Sequence, residues 1–152
     1  AARAVRSRKV ACSGVLDILG GLLAATCGGA VESAGLDPYK GVFHGSSRNA
    51  PALALDLEDV FRPILVTATA LTVFTKDVLS QGDFVLRGGK CRIGKDGVTK
   101  VCRAFGKGLH RPATRIGMRT PHDYLHHIHE DAQSIAAWVD DPTGALPLFT
   151  VR

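Results

Sequence analysis

Residues 55–80 read LDLEDVFRPILVTATALTVFTKDVLS, and the secondary structure of this stretch decides the class of fold. β-Branched residues crowd it (Val66, Thr67, Thr69, Thr72, Val73 and Val78), which weakens the case for a helix. The run is nevertheless far too long for one strand, whose usual length is about 5–6 residues, so it reads as a helix. Asp56 and Glu58 fall in its first turn, where carboxylates complement the helix dipole. Pro63 lies too deep to be a first-turn proline and marks a kink or a break.

Upstream, residues 10–34 (VACSGVLDILGGLLAATCGGAVESA) are apolar all round and read as a buried helix, with Gly35 as its C-cap and Pro38 restricting the backbone beyond it. The segment 45–52 (GSSRNAPA) is a loop. Downstream, residues 84–94 (FVLRGGKCRIG) form a β-hairpin turning at Gly88-Gly89. Lys95–Leu109 carries Val98, Val101, Cys102 and Phe105 at helical spacing, with Lys100, Arg103 and Lys107 on another face. Thr120 as N-cap and Pro121 at the first helical position open a last helix to about Trp138, closed by Asp141-Pro142 before an extended LPLFTVR tail (146–152). The expected fold is mainly α: a helical bundle with one small β-hairpin, a single domain over residues 1–152.

The start ARAVRSRKV followed by LDILGGLLAATCGGA mimics a signal peptide, but Asp17 interrupts its apolar core and the uncharged run Ile18–Val31 is short for a membrane span. We expect a buried helix and no membrane. The cysteines at 12, 27, 91 and 102 form no CxxC pair, which suits reduced thiols in a cytoplasmic protein. Net charge is +5, and residues 87–119 hold ten Lys or Arg against the single acid Asp96. Such a block is the footprint of a polyanion binder or, equally, a solvated helix face.

Candidate chemistry gathers at 41–63, GVFHGSSRNAPALALDLEDVFRP. Asp56 and Asp59 stand i, i+3 on one helix face, Glu58 points elsewhere, and the loop can fold His44 back over the carboxylates. Carboxylates with one imidazole suit Mg²⁺ or Mn²⁺; an ordinary capped helix start is the competing reading. In PHDYLHHIHE (121–130), His122, His126 and His129 share a helix side with zinc-like spacing, or form a solvated surface.

The stretch AGLDPYKGVFHGSSRNAPALALDLEDVFRPILVTATALTV (34–73) strongly resembles the C-terminal helical domain of the CRISPR-associated integrase family Cas1. GLDPYKGVFH (35–44) is similar to that family's GLDPxxGFLH, and ALALDLEDVFRP (52–63) to its sLALDLxExFRP. GDFVLRGGKCRIGKDG (82–97) and the closing LPLFTVR continue the likeness. The resemblance implies a metal-dependent DNA endonuclease and integrase that inserts short DNA fragments (spacers) into a CRISPR array, using Mg²⁺ or Mn²⁺. It acts on double-stranded DNA with 3′-hydroxyl ends and is partnered by a Cas2 dimer.

His44 matches the family's histidine ligand, Asp59 its acidic position and Asp56 the aspartate of its LDL segment, so all three are carried over as catalytic and metal-binding residues. Arg62 falls on a basic position suited to a phosphate, and Arg48, Lys90, Arg92, Arg103, Lys107 and Arg111 are the further candidate DNA contacts. The chain also departs from the pattern. No residue matches the family's upstream glutamate ligand, and the N-terminal β-domain through which the family homo-oligomerises is not matched. VLDILGGLLA (15–24) lacks the family's Asn and Tyr, and the last helix carries histidines where arginines are usual. A truncated, inactive DNA-binding relative and a helical interaction module with a basic face therefore stand as alternatives.

Overall fold

The structure is a computed structural model that describes residues 2–43, 50–87, 90–146 and 148–150, with side chains from residue 13 onward except 86, 87 and 90. It is mainly α, as the sequence indicates. The first helix, α1 (Ala2–Ser33), runs through the middle of the fold. Val15, Leu19, Leu23 and Cys27 recur every fourth residue and are fully buried, continuing into Ala30 and Val31. By length and composition alone Ser13–Ser33 could cross a membrane. Here its apolar stripe is the central wall of the core, while Asp17 on another face is exposed. Gly35 takes φ +81°, letting its N–H reach the Glu32 carbonyl (3.0 Å) and that of Leu36 reach Val31 (3.1 Å). This closure of the helix by a left-handed residue is the C-cap expected of Gly35.

The deciding stretch is helical but not one helix. α2 (Ala52–Phe61) begins just after Pro51, earlier than the expected Leu55. Pro63 has no N–H to give the next α-turn, and residues Arg62–Thr67 widen into a π-helical segment in which Ala68 N–H bonds the Pro63 carbonyl. α3 (Ala68–Thr75) resumes the α-helix. It stops short of the expected Ser80 because Asp77 adopts a left-handed conformation (φ 49°). A short 3₁₀ turn, Gln81–Asp83, leads into the hairpin of β1 (Phe84–Arg87) and β2 (Lys90–Ile93), with Phe84 opposite Ile93.

α4 (Lys95–Leu109) matches its expected bounds and buries Val101, Phe105 and Leu109. Gly97 in its first turn is pressed onto the hairpin: an added Cβ would meet Ile93 Cγ2 at 2.6 Å and the Asp83 carbonyl at 3.0 Å. A second strand pair, β3 (Pro112–Ala113) with β4 (His122–Asp123), was not evident in the sequence. It holds residues 122–123 extended, so α5 (Tyr124–Asp140) is capped by Asp123, not Thr120. Asp123 Oδ1 accepts the His126 N–H at 2.9 Å.

The tail returns to the core. Phe149 is buried, stacks on Phe61 with ring centroids 5.2 Å apart, and gives its N–H to the buried Asp131 at 2.8 Å. Arg115 completes that anchor with Nη1 2.7 Å from Asp131 Oδ1.

Candidate metal and nucleic-acid site

α2 carries three acids that its turn sends to three environments. Asp56 is buried, and its Oδ2 accepts the backbone N–H groups of Val42 (2.6 Å) and Phe43 (2.9 Å). It thereby ties the chain leading into residue 44 onto the helix. Asp59, three residues on, is more than half exposed (59%), with Oδ1 3.6 Å from Arg62 Nε. Glu58 turns inward between α2 and α1 and is 2% exposed. Burial pushes its carboxyl pKa up, against the lowering influence of Arg62.

His44 and Arg48 lie outside the described residues, as does the side chain of Lys90. Of the expected set the structure thus brings Asp59 to Arg62 and sets Asp56 against the residues that directly precede His44. Among the described residues no three His, Cys, Asp or Glu side chains gather closely enough to hold a metal ion. Carboxylate oxygen is the donor type that a hard divalent cation takes, and of the two aspartates the exposed Asp59 is the one open to such an ion, Asp56 Oδ2 being engaged by two backbone N–H groups.

The basic residues divide between two faces. A groove of about 600 Å³ runs between α3 and α4, floored by Ile64 and Ala104. Lys76 stands on its α3 side, and Lys100, Arg103, Lys107 and Arg111 along its α4 side. Lys100 is bound to Asp83 (2.8 Å), and Arg111 lies over the Tyr124 ring, 5.4 Å from its centroid. Arg103 and Lys107 are exposed and make no ion pair among the described residues. Arg92 is also exposed but lines a separate hollow of about 260 Å³ between β2 and α1, apart from the groove.

The expected histidine trio does not converge. His122 and His126 stack at 4.2 Å between centroids, and His126 Nε2 lies 3.3 Å from Glu130. His129 turns away to Ser33 of α1 (3.4 Å). The buried member is His127, which the reading of the sequence left without a role: its Nε2 donates to the Ala113 carbonyl at 3.0 Å and fastens β3 to α5.

Glu58 and Asp83 were also missed. Glu58 had a legible signal, because Ala54, Glu58, Phe61 and Leu65 follow one helical stripe. Asp83 accepts from Ser80 N (2.7 Å), Ser80 Oγ (2.9 Å) and Lys100 Nζ (2.8 Å). These donors hold its pKa down at about 2.

Among the described residues the candidate site thus consists of one buried and one exposed aspartate on α2, and a cationic groove between α3 and α4. Residues 2–107 match the family described as CRISPR associated protein Cas1, and the chain belongs to that family. An endonuclease Cas1 of Moorella thermoacetica is 37% identical over 94 residues, covering 61% of this chain and 27% of that protein. A casposase bound to integration product superposes with TM-score 0.79 at 22% identity, over 89% of this chain and 39% of the other. A Cas6-RT-Cas1–Cas2 complex superposes with TM-score 0.75 at 17% identity, over 91% of this chain and 15% of the other. The chain therefore spans well under half the length of these relatives.

Proposed function

We propose that this chain is the helical, metal-binding part of a CRISPR-associated DNA endonuclease and integrase that inserts short DNA fragments into a CRISPR array. The observation that supports it best is the pairing of exposed Asp59 with Arg62 on the helix that follows the His44 loop, in a chain of the Cas1 family. Asp59, His44 and Asp56 would hold Mg²⁺ or Mn²⁺. When bound, such an ion polarises a phosphate and eases deprotonation of an attacking hydroxyl. Asp56 keeps the backbone before His44 in place, and Arg62 offers its guanidinium to a phosphate oxygen. Arg103, Lys107 and Arg111 on the groove extend the contact along the DNA backbone, joined by Arg48, Lys90 and Arg92 from other segments.

The substrate in this reading is double-stranded DNA with 3′-hydroxyl ends. The partner is a Cas2 dimer, in keeping with the Cas1–Cas2 assembly named for one structural relative, and the working protein is a cytoplasmic homo-oligomer. Mn²⁺-dependent nicking or strand transfer on such DNA tests the reading, and His44→Ala and Asp59→Ala should each abolish it. A second reading, a DNA-binding relative without catalysis, draws on the family's upstream glutamate ligand having no match among these residues, since neither Asp17 nor Glu32 fits its motif. It predicts salt-sensitive DNA binding with no Mn²⁺-dependent cleavage. Salt-insensitive or absent binding would instead leave a helical interaction module.

A further inference from the structure

Glu58 occupies a position that stability alone does not explain. It sits in the stripe of Ala54, Phe61 and Leu65, all buried. Its Oε1 faces α1 at Gly20, where an added Cβ would come within 3.8 Å of it. That oxygen accepts no hydrogen bond among the described residues. Arg62 Nη2 approaches it to 2.9 Å, so the contact is an ion pair whose N–H is not aligned on the oxygen. A buried, imperfectly satisfied ion pair is no better for stability than an apolar side chain of the same volume, and is commonly worse.

What the carboxylate does achieve is local. Arg62 stands at the junction of α2 and the π-helical segment with its side chain 49% exposed. Its guanidinium is held from the buried side by Glu58 and, more loosely, from the exposed side by Asp59 at 3.6 Å. The Asp59 hold is one that a ligand on Asp59 would weaken, whereas the Glu58 hold lies out of reach of solvent. A planar guanidinium carries five N–H donors in a fixed fork, so anchoring one edge aims the others.

We propose that Glu58 is a positioning residue: its buried carboxylate fixes Arg62 beside Asp59 with the outer N–H groups presented to a phosphate of a bound DNA strand. The inference rests on the proposed function, in which Arg62 contacts DNA. It assigns the chain a charge retained inside the core for binding at the cost of stability.

The test compares Glu58→Leu, Glu58→Gln, Arg62→Ala and the double variant Glu58→Leu/Arg62→Ala in the full chain. Binding of a fluorescently labelled DNA duplex with 3′ overhangs is followed by anisotropy without divalent metal, together with the melting temperature. Glu58→Leu should melt at the same temperature or higher, yet weaken DNA binding about as much as Arg62→Ala. It should lower the salt slope of binding by about 0.9 and cost nothing further when Arg62 is already Ala. Glu58→Gln, which keeps the volume without the charge, should show the same binding defect should the leucine fail to fold.

Unchanged affinity in the Glu58 variants, or an equal loss with and without Arg62, overturns the inference. So does a binding loss that merely tracks a fall in melting temperature. Failure of the unaltered chain to bind the duplex overturns the DNA reading itself and this inference with it; binding that ignores Glu58 overturns the inference alone.

Discussion

The carboxylate of Asp56 accepts the backbone N–H of Phe43 at 2.9 Å, the residue that directly precedes His44 in the chain. With the Val42 N–H on the same oxygen at 2.6 Å, one side chain of α2 holds the end of a loop 13 residues away. Asp56→Ala removes the acceptor for both groups. We expect it to destabilise the fold by about 1–3 kcal/mol in chemical denaturation. Asp56→Asn keeps an acceptor oxygen and should preserve most of that stability. Mn²⁺ binding followed by electron paramagnetic resonance then separates the two duties of the residue: loss in Asp56→Asn marks a ligand, retention marks a tether.

Acid stability should report on Asp83. Hydrogen bonds from Lys100 and Ser80 depress its pKa to about 2 in the fold, below the unfolded value of 3.8. Between those values the unfolded chain binds more protons, so stability rises with pH across the window. The contribution is complete above the unfolded value and is lost as pH falls through about 2. Asp83→Asn should flatten this part of a pH-dependent urea denaturation series, and a series that keeps its slope in the variant would refute the assignment.

Gly97→Ala runs against helix propensity. Alanine is the better helix former by roughly 1 kcal/mol, yet its methyl would lie 2.6 Å from Ile93 Cγ2 and 3.0 Å from the Asp83 carbonyl. The backbone carbonyl cannot yield cheaply. We expect a net loss of about 1–3 kcal/mol, seen as a lowered thermal midpoint. The shift should also weaken DNA binding, since α4 would be pushed off the hairpin that sets its position.

The groove cations should act through phosphate charge. The double variant Arg103→Ala/Lys107→Ala should weaken DNA binding uniformly across sequences and reduce the salt slope by about 1.8. The thermal midpoint should hardly move, because both side chains are exposed and make no ion pair among the described residues. A slope that stays the same would place the DNA elsewhere.

Thiol chemistry offers a control on the core. Burial drives the Cys27 pKa upward, with Glu58 and Asp131 adding to the effect, and the thiolate is the reactive form. Ellman's reagent should leave Cys27 unmodified in the native protein and reach it only on unfolding. Its rapid modification under native conditions would contradict the packing of α1.

Much of the architecture could be read from local chemistry. Pro63 lacks an N–H and had to interrupt its helix, Gly35 had the freedom to end α1, and the Gly88-Gly89 dipeptide lay between two runs that do pair as strands. Features set by distant partners could not be read that way. Thr120-Pro121 is a sound helix start by itself, but the pairing of Ala113 with His122 keeps the chain extended past it. Asp131 looks like any polar helix residue until Phe149 and Arg115 arrive from elsewhere in the sequence to use both of its oxygens. Asp56 and Asp59 were expected on one helix face; they share α2, but Asp56 is buried and Asp59 is exposed. That one would tether a loop while the other faced solvent depends on where residues 42–43 pass.

The π-helical segment Arg62–Thr67 sets a rotational phase between the Asp59–Arg62 pair and the cationic groove. Asp59 and Arg62 lie at or before its entrance, and the α3 wall of the cationic groove begins just past its exit at Ala68. Each residue of an α-helix turns the next by roughly 100°, so one extra residue in the chain fixes which way α3 faces relative to α2. Deleting a single residue between 62 and 67 to restore an ordinary helix would rotate Ala68, Thr72 and Lys76 out of the groove while leaving α2 intact. The two surfaces are related as a crank and its pin: a change of side chain on either leaves their phase alone, whereas an insertion or deletion between them would alter it.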